Sequence, residues 1–202
     1  MMTTTTGTAR TRYRTIDLVV VAGIGAAFGV AFLGYGALYS LIGPLTAAFK
    51  PAEGLLAGIW FLPAVIAGLV VRKPGAAIGA ELIAATLEMM LGGQWGWGTV
   101  VSGLLQGGGV ELAFALTAYR RSTVPVAVLG GVLAASLEWV WERFAYYPEM
   151  SWGFAIIMLG FFLVSGALLC GALGWAATRA LAATGALDPF PAGRELAGAD
   201  RA

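Results

Sequence analysis

The chain has 202 residues, 59% of them hydrophobic and 11% charged, with a net charge of +1. A soluble domain carries about 25% charged residues, so a soluble globular fold does not fit, disorder needs lower hydrophobicity, and no basic footprint for nucleic acid exists. With no histidine and one cysteine, Cys170, a Ser-His-Asp triad, a histidine-held metal and a disulfide framework are excluded as well. What remains is an all-α, polytopic membrane protein.

A spanning helix needs about 20 mainly apolar residues, and six stretches qualify. Residues 1–15 form a Thr-rich, basic cytoplasmic segment. The first span, 16–42, is too long for a signal-peptide core and reads as an uncleaved helix ending near Pro44. Five more follow at 53–71, 75–91, 98–119, 124–144 and 152–181, giving a compact six-helix membrane domain over 16–181. Residues 182–202 read as a polar, mobile cytoplasmic tail. Basic residues mark the cytoplasmic side. With both termini inside the cell membrane, the inner segments hold Arg10, Arg12, Arg14, Arg72, Lys73, Arg120, Arg121, Arg179, Arg194 and Arg201, against Lys50 and Arg143 outside. Neither lysine lies in a phosphate-binding GxxxxGK[ST] loop, so any ATP-driven work needs an ATPase on another subunit.

Small residues recur at helix-contact spacing. Gly25–Gly29, Gly54–Gly58, Gly75–Gly79 and Gly103–Gly107 are GxxxG pairs, and Ala22–Ala26 and Ala27–Ala31 are AxxxA pairs. Such spacing lets helices approach closely in lipid. The plain reading is packing inside the bundle. A sharper reading applies to Ala22, Gly23, Ala26 and Ala27, a continuous small face on the first helix that is able to dock a partner helix.

Ionisable groups inside a span are costly and point to function. Glu81, Glu88, Glu111, Glu138 and Glu142 qualify. Glu81 and Glu111 lie toward the inner side, and for Glu81 the plain reading is pairing with Arg72, Lys73 or Arg120. Glu88, Glu138 and Glu142 fall in the outer half, and Glu138 and Glu142, four apart, share one helix face. Aromatic residues gather at the same level, beyond what an interfacial belt explains. They include Trp60, Tyr35, Trp95 and Trp97 in the Gly92–Gly98 loop, Trp139 and Tyr146. With Gln94 and Gln106 as neutral hydrogen-bonding groups, these residues make a candidate site for a flat, cationic, nitrogen-rich molecule. Carboxylates accept charge-assisted bonds, aromatic faces attract cations, and the glycine loop has the freedom to close over a pocket.

Three segments carry a family resemblance: Gly58-Ile59-Trp60-Phe61-Leu62-Pro63, Arg72-Lys73-Pro74-Gly75-Ala76 leading to Glu81, and Gly92-Gly93-Gln94-Trp95-Gly96. With the AxxxA first helix they make the chain, over about 14–181, resemble the substrate-binding S components of energy-coupling-factor (ECF) transporters, and within them the YkoE-type branch linked to thiamine or its hydroxymethylpyrimidine precursor. The resemblance implies vitamin capture from outside, coupling through the small face of the first helix to a transmembrane T component, and two partner ATPases that use the ATP, with no cofactor or metal on this chain. Other thiamine-binding S components use His and Asn in the pocket, and this chain has neither. The alternative is a stand-alone, proton-coupled carrier for organic cations. An intramembrane enzyme ranks lowest, since no nucleophile is evident and Cys170 sits in an apolar run.

Overall fold

The computed structural model describes residues 12–199. Arg10 and Arg201, with most of the 1–15 segment, lie outside the described residues. Within them every regular element is helical. Helix α1 spans Thr15–Thr46, α2 Leu62–Val71, α3 Ala76–Met90, α4 Trp97–Leu116 and α5 Val124–Ala145. Helix α6 (Trp152–Ser165) runs through a π-helical stretch, Gly166–Ala172, into α7 (Leu173–Ala183), and α8 covers Pro191–Ala199.

Four stretches are long and apolar enough to cross a membrane: Thr15–Val71, Trp97–Leu116, Val124–Ala145 and Trp152–Ala183. The first contains two of the predicted spans. Between α1 and α2 runs a 3-10 stretch, Ala47–Ile59, that takes up 53–59 of the second predicted span, holds Pro51 and turns at Phe49, with φ −145° and ψ 76°. Proline removes a helix hydrogen bond and breaks the α-helix there. Helix α3, at 15 residues, is shorter than a lone span requires. It lies among α1, α2 and α4 and buries Ala77, Ala80, Glu81, Ala84 and Glu88.

Close packing explains much of the glycine content. A Cβ on Gly25 would fall 2.7 Å from the Ala80 carbonyl oxygen, so α1 and α3 meet backbone to backbone. At Gly131 of α5 a Cβ would lie 2.0 Å from the Gly166 oxygen, where the π-helical stretch crosses. The other face of α1 is bare: Ala22, Gly23, Ala26 and Ala27 are all exposed, and nothing approaches within 4 Å of a Cβ on Gly23.

One intramembrane acid holds the fold. Glu111 accepts from the backbone N–H groups of Gly75 (2.7 Å), Ala77 (3.0 Å) and Ile78 (3.3 Å) and from the Tyr119 hydroxyl (2.7 Å). It satisfies the orphan donors and the positive end of α3. The C-terminal segment is ordered by burial. Leu187, Phe190 and Ala192 pack with Val21, Val70 and Ala80, and Arg14 donates to the Pro189 carbonyl at 3.2 Å. The expected mobile tail is therefore docked through to α8, because its few apolar residues fall together on the bundle end.

Candidate functional site

At the opposite end, the 3-10 stretch, the loop before α4 and the ends of α1, α3 and α5 enclose a cavity of about 250 Å3. One wall is aromatic. The rings of Trp60 and Trp95 meet edge to face at 5.2 Å, and Tyr39 packs on both, at 5.5 Å from Trp60 and 5.6 Å from Trp95. The facing wall is acidic. Glu88 comes from α3, Glu138 and Glu142 from α5, and Gln106 and Ser102 from α4. Glu88 is 1% exposed and Glu138 3%, so both carboxyls sit well inside. Among the described residues Glu138 Oε2 has no hydrogen-bond partner, and neither has Thr99 Oγ1. Phe32, Phe61 and Phe162 supply the apolar remainder.

A second carboxylate cluster closes the edge. Glu53 accepts from Tyr39 Oη (2.8 Å), Tyr147 Oη (3.0 Å), Thr46 Oγ1 (2.9 Å) and Lys50 Nζ (2.7 Å). Five glutamates and one lysine line the cavity, and Glu53 already holds the lysine. Among the described residues, Glu81, Glu88, Glu138 and Glu142 have no cationic partner. Burying a carboxylate is costly unless something answers it, and these four carboxyls offer hydrogen-bond acceptors beside an aromatic wall.

Seven of the eleven residues proposed from sequence line this cavity: Trp60, Glu88, Trp95, Gln106, Glu138, Glu142 and Tyr146. Four do not, each for a local reason. Tyr35 packs behind Trp60 at 4.5 Å and donates to the Leu56 carbonyl at 2.8 Å. Gln94 Nε2 donates to the Gly36 carbonyl at 3.3 Å and Gln94 Oε1 accepts from Ser40, tying the loop to α1. Trp97 opens α4 and is 76% exposed. Trp139 Nε1 donates to the Ala155 carbonyl at 2.9 Å, sealing α5 on α6.

Glu81 departs from its expected pairing. Arg72 is held by Glu195, and Lys73 by Asp17 and the Arg12 carbonyl. Glu81 instead turns into the cavity and accepts from the Ala64 N–H at 3.0 Å. Its seven-residue distance from Glu88, which puts both on one helix face, was the available signal. Tyr39 also had a signal, one turn beyond Tyr35. Tyr147 had one too, next to Tyr146 in the aromatic run that ends α5, whereas Glu53 and Ser102 had none, since their place depends on how the 3-10 stretch and α4 meet the rest.

The comparisons place the chain in a class of membrane transport subunits rather than enzymes. Residues 16–137 match the family model of the permease component of ABC-type cobalt transport systems. A solved S component of an ECF transporter superposes with a TM-score of 0.88 at 34% identity, covering 94% of this chain and 96% of that one. The chain belongs to the S components of ECF transporters, in their YkoE-type branch. It is 37% identical over 185 residues to the YkoE protein of Bacillus subtilis (strain 168), which carries the name HMP/thiamine permease, with 89% of this chain and 90% of that protein covered.

Proposed function

We propose that this chain captures thiamine or hydroxymethylpyrimidine in the aromatic–carboxylate cavity and delivers it to an ATP-driven ECF importer. The convergence of Glu88, Glu138 and Glu142 with Trp60 and Trp95 in one cavity carries the reading. Ligand pockets run about 300–1,000 Å3, so about 250 Å3 suits a small heterocycle. An exocyclic amine donates to the carboxylates with charge assistance. A cationic thiazolium lies against the indoles, each cation–π contact contributing about 0.5–2 kcal/mol. Positive φ at Gly92 (96°) and Gly96 (53°) gives the loop bearing Trp95 its turn and makes it the natural lid.

In this reading the chain crosses the cell membrane six times over 16–181, α3 included, with both termini in the cytoplasm and the cavity facing outward. The gathering of Arg72, Arg120, Arg121 and Arg179 at the far end from the cavity supports that orientation. The exposed Ala22, Gly23, Ala26 and Ala27 form the surface for the T component. Two ATPases on the partner side use the ATP, and this chain needs no cofactor. The test is tryptophan fluorescence of the full chain in detergent, titrated with thiamine, its phosphates and hydroxymethylpyrimidine. Saturable change with at least one supports the proposal, and no change with any of them ends it.

A further inference from the structure

A second cavity, of about 560 Å3, opens at the bundle end far from the aromatic site, between α2, the α4–α5 turn, α7 and α8. Arg72, Arg120, Arg121 and Arg179 line it against a single acid, Glu195, leaving a formal excess of three positive charges. Arg72 is engaged by Glu195 through two parallel N–H···O bonds, the longer at 2.8 Å. Among the described residues Arg120, Arg121 and Arg179 have no ion-pair partner.

Their placement is built. Ala118 and Tyr119 both take left-handed conformations, at φ 50° and 57°, which non-glycine residues adopt only when held. Two anchors hold this turn: the Tyr119 hydroxyl donates to Glu111 at 2.7 Å, and Trp175 Nε1 donates to the Ser122 carbonyl at 3.1 Å. The second bond pins the turn against α7, where the Arg179 guanidinium lies 5.6 Å from the Trp175 ring centroid. Arg120 and Arg121 from the turn and Arg179 from α7 thus line one concave surface, together with Ser122 and Thr123.

Guanidinium forks match the oxygens of a phosphate, two N–H groups to two oxygens. The cavity also lies at membrane-boundary level: Arg120 and Arg121 follow the apolar α4, and Arg179 stands in the last turns of the Trp152–Ala183 span. Lipid phosphates occupy that depth. We propose that this cavity binds a phosphate-bearing anion through Arg120, Arg121 and Arg179, carried by an anionic phospholipid headgroup or by a free phosphate. The proposal is independent of the vitamin site.

The test uses the full chain in detergent. Native mass spectrometry compares retention of phosphatidylglycerol with phosphatidylcholine, and thermal melting compares inorganic phosphate with chloride at equal ionic strength. Preference for phosphatidylglycerol, competed by phosphate, assigns a lipid source. A rise in melting temperature with phosphate and no lipid preference assigns a soluble one. In either case Arg121→Gln with Arg179→Gln weakens binding of the probe by about thirtyfold, as expected for two basic contacts to a phosphate, and the preference or the melting shift is lost. The proposal is overturned if neither probe shows a preference, or if the preference survives the double substitution unchanged. Should that variant not fold, the native-protein comparisons decide alone.

Discussion

Replacing Glu138 with Gln removes a carboxyl group able to pair with a cation in the cavity while keeping the side chain's shape. Glu138 is 3% exposed, its Oε2 has no partner among the described residues, and Glu142 shares its helix face. A hydrogen bond to a charged group contributes about 1.5–3 kcal/mol, and a buried amide still accepts one neutral bond. A cationic ligand such as thiamine should therefore lose about 2 kcal/mol, roughly thirtyfold in Kd. Neutral hydroxymethylpyrimidine should lose under about 1 kcal/mol, within about fivefold. The unliganded protein should melt no lower, since Glu138 Oε2 has no hydrogen-bond partner among the described residues to lose. Tryptophan fluorescence titration at neutral pH measures both affinities, and thermal melting measures the rest. Equal loss for the two ligands refutes direct charge pairing at Glu138, and unchanged affinity for both refutes its place in the site.

Three further outcomes follow from the packing and the termini. Gly131→Ala places a Cβ 2.0 Å from the Gly166 oxygen and should cost about 1–3 kcal/mol through overpacking; an unchanged melting temperature would sink the close-contact reading. A Cβ at Gly23 meets nothing within 4 Å, so Gly23→Leu should fold and bind ligand normally yet fail to co-purify with a T component; retained co-purification removes that face from the coupling surface. The Arg72 guanidinium holds the Glu195 carboxyl below its ordinary value, so its contribution to α8 docking is complete above the unfolded carboxyl's pKa of about 4.3 and is lost as pH falls through the lower folded value. As a partly exposed pair it contributes at most about 1 kcal/mol. Amide exchange in α8 should quicken in acid in the native chain and not in Arg72→Gln; equal acceleration in both would show that the pair does not hold α8.

The identical residue types in α3 and α4 show where sequence reading stops. Glu81 and Glu111 both lie near basic clusters and looked alike in sequence. One turns into the cavity and meets the Ala64 N–H, while the other caps the N-terminus of α3. Which happens depends on the rotational phase of each helix against its neighbour, and that phase is set by close approaches such as Gly25 on Ala80. Trp95 and Trp97 differ by two positions, yet one faces Trp60 and the other opens onto the surroundings, because α4 begins between them.

Composition and hydropathy alone determined that this is a helical membrane protein rich in buried carboxyls, aromatics and close-packing glycines. A backbone in lipid must satisfy its own hydrogen bonds, so a long apolar run has almost one structural outcome. The small residues of α1 were legible as a pattern, but the tertiary structure decided that Ala22, Gly23, Ala26 and Ala27 are exposed while Gly25 and Gly29 pack on α3. The tertiary structure decided which acids share a cavity, that Glu53 and Tyr147 complete its edge, and that the C-terminal segment docks as α8. Those outcomes rest on contacts between residues far apart in the chain, where no local pattern carries the information.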